Sequence, residues 1–304
     1  MEEKIDLSFE LNGDKWKNVV SVASGTFGYG SEYSQLVDIN SLGAIFTKAL
    51  SPAPRYGNPT PRIVKTPSGM LNAIGLTNKG VDDFIANKLS FIKTVDTNFY
   101  VNVAGSSTSD YIEVIEKLNE FDSIKGYEIN LSCPNVKSGC LSLGTNPTLV
   151  KEITKELRSR TNKTLIIKLT PNVTDICEVA KAAEEGGADA VSCINTLLGM
   201  AIDINNCRPF LANKTGGLSG AAIKPVGVAA VYRVSRAVKI PVIGIGGISC
   251  GSDAIEYLLA GASAIEVGSA IFNDPTVLIQ IIDFIKEYMM AHNFSLVKEM
   301  HNLF

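Results

Sequence analysis

Eight short, nearly continuous apolar runs recur along the chain and limit its possible folds more than any other feature. They are Val19–Ser24, Gly43–Lys48, Phe99–Ala104, Gly126–Cys133, Thr164–Thr170, Ala190–Asn195, Pro241–Gly246 and Ser263–Gly268. Such runs are typical of parallel strands that are buried on both faces. Between them lie segments with helical periodicity and capping residues: Val81–Thr94, Ser109–Asn119, Thr148–Arg160, Ile176–Glu185, Lys224–Val238, Ala254–Leu259 and Thr276–Met290. Eight strands alternating with helices favour a TIM (β/α)8 barrel over an open doubly wound sheet, and we expect residues 1–304 to form this single domain.

The segments outside this alternation predict the two ends of the barrel. Leu7–Leu11 and Lys15–Val19 flank Asn12-Gly13-Asp14, which is typical of a β-hairpin, and we expect the hairpin to close the barrel bottom. Residues 50–80 and 196–223 are rich in Pro, Gly, Asn and Thr. We expect them to be long loops at the top of the barrel, where barrel proteins bind their ligands.

Charge and the scarcity of histidine exclude several classes of function. With 28 basic and 31 acidic residues, the chain has no bulk attraction for nucleic acid or for an anionic membrane. The only histidines are His292 and His301, so a Ser-His-Asp triad, a histidine-bound zinc or a histidine base in the core is not expected. The six cysteines form no CxxC pair, and no signal peptide or apolar span is evident. These features predict a cytoplasmic protein with reduced thiols and no metal site.

Five polar residues lie at or near the carboxyl ends of the predicted strands. The alternation of side chains along a barrel strand directs Asn102, Asn130 and Lys168 inward, and Lys48 and Asn195 end two further strands. One such residue is commonly a structural hydrogen-bonding group, but five at one rim favour a binding site. No matching carboxylates are expected at these strand ends, so the two lysines predict an anionic ligand.

Glycines and one cysteine extend this predicted site. Gly246, Gly247 and Gly268 follow the last two strands, where barrels often bind phosphate, although glycines at these positions can also simply turn the chain. No glycine cluster matches the GxGxxG pattern of a dinucleotide fold. Cys133 follows the fourth strand in a polar loop, unlike Cys177 and Cys193, which are expected to be buried. Because both histidines lie in the last thirteen residues, a thiolate, a lysine or a carboxylate is expected to remove any proton at this site.

Together these motifs resemble the class 1B dihydroorotate dehydrogenases. The matching segments are ASGTFGYG (23–30), FTKAL (46–50), LNAIGLTNKG (71–80), VNVAGS (101–106), EINLSCPNVKSG (128–139), IIKLTPNV (166–173), CINTLLGM (193–200), NKTGGLSGAAIKP (213–225), GIGGI (244–248) and VGSA (267–270). They follow one another through nearly the whole chain. The resemblance implies one FMN at the carboxyl-terminal face of the barrel and oxidation of (S)-dihydroorotate to orotate in pyrimidine biosynthesis, with hydride transfer to FMN N5.

The resemblance also implies roles for individual residues. Cys133 would be the catalytic base, and Lys48 and Lys168 would assist. The residues implied to contact FMN are Ser24, Lys48, Ala49, Asn102, Asn130, Lys168, Ile194, Gly220, Gly246, Gly247, Gly268 and Ser269. The residues implied to hold dihydroorotate are Lys48, Asn72, Ala73, Ile74, Gly75, Leu76, Asn130, Asn195 and Thr196.

The resemblance further implies a partner protein. Cys133 in place of serine argues against the membrane-bound class 2 enzymes, and the loop RPFLANKTGGLSG favours class 1B over the fumarate-using class 1A. A class 1B chain would form a homodimer joined by two subunits that carry FAD and a 2Fe–2S cluster and deliver electrons to NAD+. This chain has no cysteine cluster for such a cluster itself.

Three alternatives remain at this stage. One is a subunit like dihydropyrimidine dehydrogenase, which shares the barrel, FMN and a loop cysteine. Another is a flavin-free barrel that acts as a binding or scaffold protein. The third is an aldolase-type barrel that forms a Schiff base at Lys168.

Overall fold

The computed structural model describes residues 5–131, 143–301 and 303–304. The strands in chain order are β1 (Phe9–Leu11), β2 (Asp14–Trp16), β3 (Val20–Val22), β4 (Ala44–Phe46), β5 (Ile63–Thr66), β6 (Gly69–Asn72), β7 (Asn98–Val103), β8 (Ile124–Asn130), β9 (Thr164–Leu169), β10 (Ala190–Cys193), β11 (Leu197–Met200), β12 (Ile202–Asp203), β13 (Arg208–Pro209), β14 (Thr215–Ser219), β15 (Val242–Ile245) and β16 (Ala264–Val267). The α-helices are α1 (Val81–Asn87), α2 (Leu89–Ile92), α3 (Thr108–Leu118), α4 (Pro147–Arg158), α5 (Ile176–Glu185), α6 (Lys224–Ser235), α7 (Gly251–Leu259) and α8 (Val277–Ala291).

Eight of the strands form a closed parallel barrel. Their order around it is β10, β15, β16, β3, β4, β7, β8 and β9. Each of the eight apolar runs overlaps one of these strands, which confirms the predicted TIM barrel. The parallel register places the carboxyl ends of the strands at one rim, and Asn130 at the end of β8 lies opposite Lys168 on β9.

The helices follow the predicted positions, with two local differences. The segment predicted as one helix from residue 81 divides at Lys88 into α1 and α2. Helix α7 begins at Gly251, three residues before the predicted start at Ala254. Asp253 lies inside this helix, and its carboxylate accepts hydrogen bonds from Ser249 and from Lys224. None of the helices in the described part of the chain is long and apolar enough to cross a membrane.

The β1–β2 hairpin closes the amino-terminal end of the barrel, as predicted. Trp16 is completely buried, and its Nε1 donates a hydrogen bond to the hydroxyl of Tyr100 at 2.9 Å. The indole also packs edge-on against Phe46. At the rim, Asp14 accepts a hydrogen bond from Thr164, the first residue of β9. The hairpin therefore fixes the bottom of the barrel and leaves the carboxyl-terminal end for ligands.

The two long segments predicted as top loops contain more structure than expected. Strands β11, β14, β6 and β5 pair in that order to form a four-stranded antiparallel sheet. In this sheet Gly217 lies opposite Asn72, so the two segments are paired with each other. The sequence did not predict these strands because they are short and rich in glycine and do not alternate clearly.

Candidate active site

A cavity of about 370 Å³ lies at the carboxyl-terminal end of the barrel. Ends of the barrel strands form its floor and walls, and residues of the four-stranded sheet enclose it further. The lining residues are Ala23, Ser24, Gly25, Thr26, Lys48, Ala49, Ile63, Met70, Asn72, Ile74, Gly75, Leu76, Thr77, Asn102, Asn130, Lys168, Ile194, Asn195, Thr196, Ser219, Gly220, Ile223, Ile245, Gly246, Gly247, Ile248, Gly268, Ser269 and Phe272. The volume is in the range of cavities that bind small molecules and cofactors.

This cavity brings together nearly all of the predicted site residues. Every residue predicted to contact FMN lines it, and so does every residue predicted to hold dihydroorotate except Ala73. Ala73 is completely buried in a separate small cluster with Leu71 and Leu211. Asn72 and Ile74 line the cavity while Ala73 between them does not, as expected where side chains alternate along extended chain. The Ala73 side chain therefore does not line the cavity, and the role predicted for this residue stays a prediction.

The cysteines divide into those that the structure describes and those that it does not. Cys133, the predicted base, lies outside the described residues, so its role stays a prediction. Cys193 in β10 is completely buried, and burial raises the pKa of its thiol. Cys177 lies in α5 and is half-buried. Cys193 is therefore buried as expected, whereas Cys177 is buried only in part.

Lys168 has carboxylate partners, which corrects the prediction that both lysines would lack them. Its Nζ lies 3.2 Å from Glu128 Oε1 and 3.4 Å from Glu266 Oε2. Neither glutamate has any solvent exposure. The same alternation that directs Asn130 inward also directs Glu128 inward, so the sequence contained the signal and it was missed.

The two buried glutamates have opposite pKa shifts. Burial acts to raise the pKa of Glu128, but the positive charge of Lys168 and hydrogen bonds from Ser192 and Asn102 outweigh it and leave the pKa lowered. Burial raises the pKa of Glu266 well above its ordinary value, and the negative charge of Glu128 adds to the increase. Burial acts to lower the pKa of Lys168, but the two carboxyl groups raise it, so the lysine stays charged.

Asn102 joins this network to the cavity. Its Nδ2 donates a hydrogen bond to Glu128 Oε2. Its Oδ1 is buried and has no hydrogen-bond partner among the residues that the structure describes. Because Asn102 lines the cavity, that oxygen can accept a hydrogen bond from a ligand. The same contact with Glu128 fixes which end of the amide is the acceptor.

Lys48 supplies positive charge to the cavity. It forms no ion pair with any residue in the described ranges, and the nearby Glu32 is paired with Lys88. Burial lowers the pKa of Lys48, and the positive charge of Arg62 lowers it further. Two cationic groups near one another attract an anion, so for Lys48 the prediction of an anionic ligand still applies.

Glycines allow the backbone to approach closely on one wall of the cavity. Gly246 and Gly247 have φ angles of 122° and 70°, in the left-handed region. A Cβ atom on Gly247 would lie 2.8 Å from the carbonyl oxygen of Gly220, so no side chain fits there. This wall therefore presents backbone rather than side chains to a ligand, as a phosphate site requires.

Several apolar lining residues were not predicted from the sequence. Ile63 and Met70 come from the four-stranded sheet, and Phe272 comes from the short helix Ser269–Phe272 after β16. Ile63 and Phe272 are each at least half exposed. Nothing in their sequence context marked them, because the strands that carry two of them were not predicted.

Comparisons with known proteins agree with this description. The family model described as dihydroorotate dehydrogenase matches residues 6–289. The chain is 53% identical over 297 residues to a protein of Geotalea daltonii named dihydroorotate dehydrogenase B (NAD(+)), catalytic subunit, covering 98% of this chain and 97% of the relative. It is 52% identical to the Bacteroides thetaiotaomicron protein of the same name, covering 97% of each chain.

A solved structure supports the fold. The dihydroorotate dehydrogenase of Eimeria tenella, crystallised with ferulenol, superimposes with a TM-score of 0.83 over 98% of this chain and 88% of that chain. At 22% identity, this likeness concerns the barrel architecture alone.

Proposed function

Because the chain belongs to the dihydroorotate dehydrogenase family, we propose that it oxidises dihydroorotate to orotate in pyrimidine biosynthesis with FMN and substrate bound in this one cavity. The observation that carries the proposal is the convergence of Lys48, Asn72, Asn130 and Asn195 from separate parts of the chain on the same space. A cation and several amide groups are the chemistry needed to bind a small cyclic amide that carries a carboxylate.

The walls of the cavity fit FMN. The glycine wall at Gly246 and Gly247 would hold the phosphate through backbone N–H groups. Asn102 Oδ1, which has no partner among the described residues, would accept a hydrogen bond from the flavin ring. Lys168 would donate a hydrogen bond to the same ring. When bound, FMN supplies the hydride acceptor that the protein's own side chains lack.

The remaining polar side chains would hold dihydroorotate. Lys48 would pair with the substrate carboxylate, since it has no ion pair among the described residues. Asn72, Asn130 and Asn195 would donate to and accept from the amide edges of the ring. These groups orient the substrate, and the apolar residues Met70 and Phe272 reduce access of water.

Cys133 would remove the proton from C5 of dihydroorotate. The motif that contains it follows β8, whose last residue, Asn130, lines the cavity. A thiol is a weak base until it ionises, so the rate of this step is expected to increase with pH up to the pKa of Cys133. Replacing Cys133 with Ser exchanges the thiol for a hydroxyl of similar size that is a far weaker acid.

Electrons would leave the cavity through a partner subunit. The curated relatives are named as NAD(+)-dependent catalytic subunits, and this name favours class 1B over the fumarate-using class. We propose that the partner carries FAD and a 2Fe–2S cluster and that two partners flank a homodimer of this chain. Isolation of the native complex, followed by assays for iron and FAD, tests this assembly.

The test of the reaction is anaerobic mixing of the purified chain with dihydroorotate. We expect bleaching of a bound flavin and formation of one orotate per flavin. The Cys133→Ser variant should retain its flavin but bleach at least a hundredfold more slowly. Bleaching by dihydrouracil instead of dihydroorotate would favour the dihydropyrimidine dehydrogenase-like alternative. A colourless protein would contradict the proposed function. Equal bleaching rates for wild type and variant would contradict the assignment of Cys133 as the base.

A further inference from the structure

One ammonium group and two carboxyl groups are enclosed together below the cavity. Lys168 is 5% exposed, and Glu128 and Glu266 are completely buried. Within the described ranges, Lys168 is the only basic side chain that is buried. Two carboxylates and one ammonium would leave a net negative charge inside the barrel, and an unbalanced charge in a water-free interior is very costly. Protonation of one of the two carboxyl groups would remove this unbalanced charge and is therefore favoured.

The hydrogen bonds show which carboxyl group this is. Glu128 accepts hydrogen bonds from Lys168, from Ser192 at 2.7 Å and from Asn102. Among the described residues, the one donor to Glu266 is Lys168 at 3.4 Å, and Glu266 Oε1 accepts from none. Glu266 also lies within hydrogen-bonding reach of the Glu128 carboxylate. A carboxylate is stabilised by donors to both oxygens, so Glu128 is suited to the charge. A neutral carboxyl group can instead donate its own O–H.

No other titratable group in the described ranges competes for this proton. Glu266 lies on β16, and its register partners on the neighbouring strands are Ser21 of β3 and Ile245 of β15. Neither of these residues titrates in the accessible pH range. Across the barrel, the charged groups that act on Glu266 are Glu128 and Lys168. Among the described residues, the proton balance is therefore set within this group of three.

We propose that Glu266 is a positioning residue that holds a proton in the resting protein, so that Lys168, Glu128 and Glu266 together carry no net charge. The O–H of Glu266 then donates to the carboxylate of Glu128, and Lys168 remains a cation fixed beside the cavity. The opposite pKa shifts of Glu128 and Glu266 agree with this arrangement.

The arrangement has a consequence for a ligand in the cavity. Lys168 lines the cavity, and its Nζ also lies 3.3 Å from Ser24 Oγ. Its ammonium group is therefore held between the two buried glutamates and the space that a ligand would occupy. With Glu266 neutral, a ligand that gains negative charge meets a floor without net negative charge. This consequence rests on the proposed function because it concerns a bound flavin, whereas the protonation of Glu266 does not.

The experiment compares the full chain with its Glu266→Gln variant by infrared spectroscopy at neutral pH. Glutamine has nearly the same shape as a protonated glutamate and the same zero charge. We expect the difference spectrum to contain the carbonyl band of one protonated carboxyl group, and we expect labelling with ¹³C-glutamate to shift that band. Glu287→Gln, a change on the exposed face of α8, is the matched control and should produce no such band. A difference spectrum without the band would overturn the proposal.

The second measurement is the equilibrium constant for reduction of the bound flavin against a reference dye. If Glu266 is already neutral, Glu266→Gln should change that constant by less than threefold. A larger change would mean that the substitution removed a charge, and the proposal would be wrong. The infrared result does not depend on flavin chemistry. The band can therefore be absent although dihydroorotate still bleaches the flavin, or present although the proposed reaction is refuted.

Discussion

Replacement of Lys168 by methionine is expected to cost the protein substantial stability, because it removes the ammonium group from a buried cluster of charges. The ammonium group lies 3.2 Å and 3.4 Å from the carboxyl oxygens of Glu128 and Glu266. At an effective dielectric constant of about 20, a pair of unit charges at this distance attracts by about 5 kcal/mol. The cost of desolvating the ions offsets part of this attraction in the wild type, but Lys168→Met leaves the carboxylate of Glu128 buried and uncompensated.

We therefore expect Lys168→Met to lower the free energy of unfolding by about 3–5 kcal/mol. The assay is unfolding in guanidinium chloride at neutral pH with apoprotein, because a bound cofactor would add its own contribution to stability. The variant Lys168→Met/Glu128→Gln removes both charges, and it should recover more than half of the loss. A Lys168→Met protein within about 1 kcal/mol of wild type, or a double variant no more stable than the single one, would refute this reasoning.

Three other predictions follow from the same site. Folding raises the pKa of Glu266 above its ordinary value of 4.5, so the folded protein binds a proton that the unfolded chain releases. The stability that this proton contributes is complete below pH 4.5. It decreases as the pH rises towards the folded pKa, by up to about 1.4 kcal/mol per pH unit. Glu266→Gln should remove this slope, and melting temperatures measured across the pH range would contradict the prediction if the slope were unchanged. Lys48→Met should weaken orotate binding, measured by calorimetry, by about tenfold to a hundredfold through loss of a charge-assisted hydrogen bond. Lys65→Met removes the same charge from an exposed position and should leave orotate binding unchanged. An equal effect of both substitutions would refute a specific role for Lys48. Gly247→Ala should abolish flavin retention, and because its Cβ meets the carbonyl of Gly220 it should destabilise the chain by more than the backbone strain of about 1–2 kcal/mol of a left-handed residue. Gly13→Ala is the control for strain alone, since Gly13 has a φ of 84° and the position of its Cβ meets no described atom within 4 Å. Equal losses of stability in the two variants would show that the contact with Gly220 has no effect.

The barrel could be predicted because its signal is local and repeated. Runs of buried residues such as Thr164–Leu169 differ clearly from the amphipathic helices that separate them, and their order in the chain determines a parallel sheet. The small sheet above the cavity could not be predicted in the same way. Strands such as Leu197–Met200 are short, contain glycine and are half exposed, so pairing with distant segments decides their conformation.

The candidate site shows the same distinction. Inward residues at strand ends, such as Asn102 and Lys168, follow from alternation along a strand together with the barrel topology. The partners of Lys168 depend on which interior residues come into contact across the barrel. One of these contacts is with Glu266, which lies 98 residues further along the sequence. Alternation alone could have directed Glu128 inward, but only the closed barrel shows that both carboxyl groups reach the same ammonium group.

A crystal structure of the chain grown with FMN and orotate would test directly whether cofactor and substrate share the cavity at the end of the barrel. We expect the phosphate to lie against Gly246 and Gly247, the orotate carboxylate to contact Lys48, and the thiol of Cys133 to face the ring carbon that loses its proton. Orotate bound outside this cavity, or a Cys133 thiol directed away from the ring, would contradict it.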